Sequence, residues 1–397
     1  MRSRKSSSRG GSPDKHIIES RFQERFTIFY DTDKSFKNMT KEHVLETEKH
    51  IPKLGVMLVG LGGNNGSTFV AGILANKQKM TWPTRQADVE ANFYGSFTQC
   101  ATAHVGFKYD ERSGELTDVH RPVKELLPMI NPCDLEISGW DISGLNLYES
   151  CKRARVLEPT LIEQLRGDLE RIRPLPAALN GEFIAANQAD RADNVVRGTN
   201  EDVIARLRQD IRDMKSRVEK VIVLWTANTE QYLLPEILNI EDLHKRIVNN
   251  EKLPSSVLYC VAAIEEKILY LNGSPQNTFH PGIVEYAKMH GALLAGSDFK
   301  SGQTRFKTIM SDYLIGAGLR LASVVSYNHL GNNDGKNLSE DKCFQSKKIS
   351  KAGVLDDAIK SNTILYPEGK KHIDHEVVIK YVPFVGDSKR ALDEYTS

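Results

Sequence analysis

The stretch that decides the fold runs Gly55-Val56-Met57-Leu58-Val59-Gly60-Leu61-Gly62-Gly63-Asn64-Asn65-Gly66, with Ser67–Lys77 behind it. Gly55–Gly60 is a short apolar run that reads as a buried strand, and Ser67–Lys77 reads as a helix. Between them lie glycines and small polar residues. Glycines permit a tight turn and a close backbone approach, and the first amides of the following helix point at whatever anion sits in front of them. A glycine-rich loop alone is weak evidence. Placed after a first strand and before a first helix it marks a dinucleotide site, with Gly62, Gly63, Asn64, Asn65 and Gly66 cradling a pyrophosphate.

Outward from that loop, further apolar, β-rich runs occur at Leu135–Gly139, Phe183–Ala185, Val221–Trp225, Val257–Ile264 and Ala292–Ala295. Helical stretches separate them, the clearest being Glu201–Val218, where Val203, Leu207, Ile211, Met214 and Val218 recur at helical spacing behind Asn200 as N-cap. Strands alternating with helices imply right-handed crossovers and a mainly parallel sheet covered on both faces. The expected fold is therefore α/β, a Rossmann-like doubly wound sheet over residues 51–303. A smaller α+β domain follows at 304–397: a helix Arg305–Ala317 with a core stripe (Phe306, Ile309, Met310, Tyr313, Leu314, Ala317), a strand Ser323–Tyr327, a polar loop Asn328–Lys348, a helix Ile349–Lys360 and a strand Glu376–Val382. Residues 1–15, rich in Ser, Arg, Lys and Gly, read as a disordered tail, with Ser6–Ser8 open to basophilic kinases; 16–50 form an N-terminal extension. The chain ends at Leu392–Ser397 without a stop signal, in a segment turning helical, and so reads as interrupted.

The composition bounds the function classes. In 397 residues, 53 Lys and Arg balance 52 Asp and Glu for a net charge of +1, which argues against a nucleic-acid or membrane-surface partner. Five scattered cysteines with no Cys-x-x-Cys pair speak against a zinc ribbon or disulfide framework and fit a reducing, cytoplasmic setting. No His/Cys/carboxylate group shows metal-ligand spacing, so the sequence names no metal-ligating residue.

The acid that usually closes the second strand about 20 residues after the glycines is absent there. Asp141, ending Gly139-Trp-Asp, is the candidate for the ribose hydroxyls, which favours NAD over NADP; capping the next helix is the alternative. Thr226-Ala227-Asn228-Thr229 and Asn272-Gly273-Ser274 follow later strands at the carboxyl end, where ligands bind, or serve as turns. Asp298-Phe-Lys300-Ser301-Gly302-Gln303-Thr304 opens the Arg305 helix as a second anion cradle, suited to a substrate phosphate, or as a capped helix start. Asn328-His-Leu-Gly-Asn332-Asn333-Asp334-Gly-Lys-Asn337 is dense in groups that bind sugar hydroxyls. Lys347 and Lys351 share one helix face, and Lys389 lies further on. Lysines beside a polyol loop suit phosphate binding, enolate stabilisation or acid–base work; a solvated face is the plainer reading of any one of them.

In order and spacing these strings resemble the eukaryotic inositol-3-phosphate synthase (myo-inositol-1-phosphate synthase) family. They are Gly62-Gly-Asn-Asn-Gly66, Leu224-Trp-Thr-Ala-Asn-Thr229, Asn272-Gly-Ser-Pro-Gln-Asn277, Ser301-Gly-Gln-Thr304, Ser326–Gly335 and Gly386-Asp-Ser-Lys389. The resemblance implies an isomerase that uses NAD to convert glucose 6-phosphate to 1D-myo-inositol 3-phosphate, the first step of inositol synthesis and a feed for phospholipids. It implies oxidation at C5, enolisation at C6, aldol closure onto C1 and re-reduction, in a cytoplasmic homotetramer built through the second domain. Carried over by position, Lys347, Lys351 and Lys389 are the catalytic lysines, with Lys347 and Lys389 polarising the carbonyl. Asp298, Asn328, Asn332 and Asp334 orient sugar and cofactor. Asn333 and Asp387 join the cofactor set, and Ser301–Thr304 hold the phosphate. Leu61 stands where the family commonly has Trp, and Gln345 where Arg is usual. Family members also continue well past the position of Ser397, into a part that holds a further catalytic lysine. Two other readings therefore stay open: a catalytically impaired short form that binds NAD and modulates full-length subunits, and a simple NAD-dependent dehydrogenase.

Overall fold

The computed structural model describes residues 17–30, 32, 34–299, 302–368 and 372–397, without the side chains of residues 351, 352 and 354. The expected tail at 1–15 lies outside the described residues, as does Ser301 of the second cradle. The described residues fall into two compact units, those up to 52 with 92–131, and those of 53–91 with 132–397.

Within the first unit, the stretch 16–50 expected as an N-terminal extension carries a hairpin, in which Ile17–Tyr30 pairs antiparallel with Ser35–Glu48 along its whole length. A second hairpin joins Thr102–Tyr109 to Leu116–Pro122, with a register shift between His104 and Gly106. Phe22, Phe29 and Phe36 stay exposed on the first hairpin.

The second unit holds the site. The elements that frame it are β1 (Leu54–Val59), α1 (Asn64–Lys77), β2 (Glu136–Asp141), α2 (Leu147–Ala154), β3 (Leu175–Pro176), α3 (Asn200–Lys215), β4 (Lys220–Trp225), α4 (Ser255–Glu265), β5 (Leu269–Asn272), α5 (Pro281–His290), β6 (Leu294–Ala295), α6 (Gln303–Gly316), β7 (Ser323–Leu330), α7 (Asn333–Asn337), α8 (Asp341–Ala352), β8 (Asp374–Tyr381) and β9 (Arg390–Thr396). The first six strands form one parallel sheet in the order β6-β5-β4-β1-β2-β3. This is the doubly wound order in which the chain leaves β1 in one direction and returns beside it as β4. Side chains alternate across β1. Val56 and Leu58 pack with Val70 and Ala71 of α1 and Leu147 of α2. Met57 and Val59 join Leu207 and Ile211 of α3 and the run Val257–Ile264 of α4 on the other face. β7, β8 and β9 make a smaller sheet in the order β8-β7-β9, parallel between β7 and β8 and antiparallel between β7 and β9.

Several expectations need correction. Val257–Ile264 is helix, not strand: α4 is surrounded on every side, so its apolar run carries no face periodicity, and at eight residues length alone did not arbitrate. Phe183–Ala185 forms no strand; it runs through turns into a 3-10 helix at Ala186–Arg191. α3 is capped by Thr199 rather than Asn200, through a reciprocal box with Asp202. The polar stretch 328–348 is mostly ordered as the end of β7, α7 and the start of α8, and the helix expected over 349–360 is split by a 3-10 turn at Gly353–Leu355. The closing segment is a strand, β9, because β7 supplies its hydrogen-bond partners from more than sixty residues upstream. Finally, the apolar stripe of α6 faces outward: Phe306, Ile309, Met310 and Tyr313 are exposed, while Lys307, Ser311 and Ile315 are buried.

Candidate functional site

The order of the parallel sheet reverses between β1 and β4, and a cavity of about 770 Å³ opens at their carboxyl ends. It is lined by the loop after β1, the loops after β4 and β5, and residues from the α7–α8 region. The turn at its floor requires glycine. Gly60 has φ +93°, and a Cβ on Gly66 would lie 2.4 Å from the Gly60 carbonyl oxygen and 2.5 Å from that of Leu61. α1 thus starts flush against the loop at Gly63, with no acidic residue in its first turn to oppose an anion on its amides.

Asp141 ends β2 at the edge of this loop. Its two oxygens accept the Gly62 and Ser143 amides, each at 2.9 Å, while Asn146 caps α2. Burial pushes the Asp141 carboxyl up; those amides and the neighbouring Arg191 and Arg153 hold it down. Each oxygen keeps a second lone pair, so the same carboxylate can brace the loop and still accept a ribose hydroxyl. Across the cavity, Thr226 donates amide and hydroxyl to Val59, and Ser274 donates its hydroxyl to the Ala227 carbonyl at 3.0 Å. Gly273 sits where a Cβ would meet the Trp225 carbonyl oxygen at 2.4 Å. Asn228 is held between Gln188 and Asn333, and Thr229 accepts Asn337 through its carbonyl.

The lysine side of the cleft rests on this framework. Asp298 takes φ +78°, a strained conformation for a residue with a Cβ, and both its oxygens receive the Lys347 ammonium, at 2.9 and 3.1 Å. Ser346, beside Lys347, donates to the carbonyl of Glu230. Glu230 is wholly buried and accepts the Ser255 and Ser256 amides at the start of α4, which ties α8 to the sheet. Lys351 lies one turn beyond Lys347 on α8.

The residues after β8 join the two cradles. Asp387 accepts Asn332 at 2.6 Å and Asn64 of the glycine loop at 3.5 Å. Two residues on, Lys389 donates to the Gln303 side chain at 3.4 Å, at the start of α6, where Gly302 supplies φ +53° as N-cap. Lys389 is exposed, yet the surrounding protein and then the nearby Lys347 lower its pKa, against the pull of Asp334, Asp393 and Asp298. Asn328 stands apart. It is buried in β7, gives its amide to the Val378 carbonyl and borders a separate groove with Tyr327 and Lys380.

The sequence matches the family described as myo-inositol-1-phosphate synthase across residues 54–377, which takes in both cradles and the segment of Lys347. The chain belongs to the myo-inositol-1-phosphate synthase family. An inositol-3-phosphate synthase of Sesamum indicum is 49% identical over 367 residues, covering 91% of this chain and 71% of the relative. One from Xenopus laevis is 48% identical over 390 residues, covering 96% of this chain and 68% of that one. The crystal structure of inositol-3-phosphate synthase from Caenorhabditis elegans matches the fold at a TM-score of 0.90 and 48% identity, over 96% of this chain and 76% of that chain.

In this member of the myo-inositol-1-phosphate synthase family, sequence reasoning passed over two cations. Arg191 lines the cavity beside Asp141 with its Nε buried and lacking a protein partner, and burial, then Arg153, lower its pKa. It lies in a polar stretch with no periodicity, so nothing local marked it. Lys307 was hidden by the same stripe on α6 that was read as core.

Proposed function

We propose that this chain is an NAD-dependent isomerase that converts D-glucose 6-phosphate to 1D-myo-inositol 3-phosphate. The observation that carries the reading is the bridge at Asp387–Lys389, which touches the glycine loop on one side and the α6 cradle on the other. The cofactor fits the chain's own features: a turn that a Cβ would fill at Gly66, a helix start facing the cavity, and a buried, unpartnered Arg191 Nε beside it. Gly62–Gly66, Asp141, Thr226–Thr229, Gly273, Ser274, Asn333 and Asp387 would hold it. When bound, NAD supplies a reversible hydride acceptor, so the sequence closes with no net redox change.

The residues supply the rest. The amides at Gly302–Thr304 hold the phosphate end, so C5 and C6 lie toward the lysines. A ketone at C5 makes the C6 proton acidic, and the enolate that follows needs fixed positive charge in a sheltered site. Lys347, kept in place by the Asp298 carboxylate, is the fixed cation. Lys389, with its lowered pKa, is the group suited to move a proton between C6 and the developing hydroxyl. Asn332 and Asp334 orient the sugar, and Lys351 adds charge on the same helix as Lys347. Carbon–carbon closure of C6 onto the C1 aldehyde then completes the ring.

In this reading residues 51–303 form the cofactor lobe and 304–397 the catalytic lobe, and the chain works as a cytoplasmic homotetramer. The outward apolar face of α6, with Phe306, Ile309, Met310 and Tyr313 exposed, supports self-association through the second lobe. Among the described residues no helix is long and apolar enough to cross a membrane. The test is the purified chain with glucose 6-phosphate and NAD, with inositol phosphate detected by mass spectrometry. Product without net NADH is expected. Stoichiometric NADH release would make the chain a dehydrogenase, and NAD binding without product would make it a modulator.

A further inference from the structure

The inward face of α6 carries polar groups that the mechanism above leaves unused. Gln303, Lys307 and Ser311 recur at a spacing of four, so they share one face of the helix. Lys307 is 1% exposed, and its Nζ meets Nε2 of His375 on β8 at 2.9 Å. Strand register places Val324, His375 and Tyr395 in one row across the small sheet, and Ser326, Val377 and Asp393 in a neighbouring row. Partners in a row point to the same side of a sheet, so His375 and Asp393 both face α6.

Asp393 accepts the Gln303 side-chain amide at 2.5 Å. The oxygen of that same amide accepts Lys389. An amide group donates at one end and accepts at the other, so the carboxylate on its nitrogen decides that its oxygen is turned to the lysine. Were Gln303 reversed, its NH₂ would meet the Lys389 ammonium donor to donor. Burial lowers the Lys307 pKa and the charge of Lys389 adds to that, while the charge of Asp393 pulls the other way and supports the cation. The polar groups run from half-buried His375 to buried Lys307, then to half-buried Asp393 and Gln303, and end at the exposed Lys389.

We infer that Lys307 is a positioning residue for the proposed cyclisation, balancing the half-buried Asp393 so that Gln303 keeps its carbonyl toward Lys389. This rests on the proposed function. It adds a residue that touches neither cofactor nor sugar and acts through two others. Without the Lys307 cation, the Asp393 carboxylate gains by turning out to water and releases Gln303.

The experiment compares wild type, Lys307→Met, Asp393→Asn and the double variant. Readouts are kcat and KM for glucose 6-phosphate, the pH profile of kcat/KM, the NAD dissociation constant and the melting temperature. Lys307→Met is expected to lower kcat/KM by about tenfold to a hundredfold, the range typical of a misplaced catalytic group. NAD binding should stay within about twofold, because the cavity residues are untouched. Asp393→Asn should reproduce the loss, and the double variant should be no worse than either single one, since both break the same chain. The alkaline limb should move up in Lys307→Met. Lys389 faces Lys347, Asp334, Asp393, Asp298 and the Lys307 cation, and removing a like charge favours its protonated form.

Unchanged kcat/KM, additive losses, or a loss with no movement of the pH limb would each overturn the inference. If Lys307→Met does not fold, Asp393→Asn on its partly exposed strand carries the test alone, and wild-type kinetics there would refute it. A wild type that forms no inositol phosphate removes the functional reading and this inference together. An active wild type matched by Lys307→Met removes the inference alone.

Discussion

One substitution, Gly to Ala, made at three points of α1 and its loop separates the cofactor turn from the helix that follows it. At Gly66 the added methyl would lie 2.4 and 2.5 Å from two carbonyl oxygens, about 1.0 Å short of the 3.4 Å at which ordinary contact begins. Both oxygens belong to backbone, so the loop must open rather than a side chain turn aside. An opening of about 1 Å breaks the aim of the α1 amides on a pyrophosphate. Hydrogen bonds to a charged group contribute about 1.5–3 kcal/mol each, so losing two costs about 3–6 kcal/mol. At 1.4 kcal/mol per tenfold, the NAD dissociation constant should rise by roughly a hundredfold to ten-thousandfold. At Gly63 the methyl's one tight contact is the Gly60 oxygen, at 3.1 Å, and a few tenths of an ångström of give suffice, so the loss should be about tenfold or less. At Gly72 nothing lies within 4 Å, and alanine in a helix interior should stabilise the fold by about 0.5–1 kcal/mol with NAD binding unchanged. Calorimetric titration with NAD and thermal melts of the three variants read all of this. A folded Gly66→Ala protein that binds NAD within twofold of wild type would mean the pyrophosphate does not lie on this turn.

Replacing Lys389 with Met should abolish inositol phosphate formation while NAD binding survives, measured by mass spectrometry and calorimetry; retained turnover would remove this lysine from the chemistry. Asp298→Asn keeps a residue that tolerates φ +78° but frees the Lys347 ammonium, so kcat should fall about tenfold or more with little change in melting temperature. A melting temperature that drops sharply with kcat intact would make Asp298 structural. His280 is 1% exposed, neither ring nitrogen has a protein partner, and burial holds its pKa down at about 4. Its folded pKa is depressed, so the stability it contributes is present above about pH 6.5 and is lost as pH falls toward 4. Urea unfolding should show about 2 kcal/mol lost from this group between pH 8 and pH 5, absent in His280→Leu; equal losses in both proteins would place the acid sensitivity elsewhere.

Three elements show why the readable part of this chain was the cofactor half. The glycine loop was readable because its chemistry is local: a strand, a turn that excludes Cβ and a helix start lie within one continuous stretch, and each constrains the next. α4 was misread because hydrophobic periodicity reports a boundary between core and solvent, and a helix enclosed on all sides has no such boundary. α6 was misread for the complementary reason. Spacing tells which residues share a face, and Phe306, Ile309, Met310 and Tyr313 do share one; it does not tell which way the face points. That direction is set by His375 and Asp393, about seventy and ninety residues downstream, which receive Lys307 and Gln303. The same distance in sequence hid β9, whose partner strand precedes it by more than sixty residues. The catalytic half of the site is therefore an assembly of long-range pairs, and its lysines could be placed from sequence only by resemblance. Asp387 and Lys389 make the point most directly: two residues apart in the chain, they reach Asn64 and Gln303, and the geometry that joins the two cradles exists only once β8 has folded beside β7.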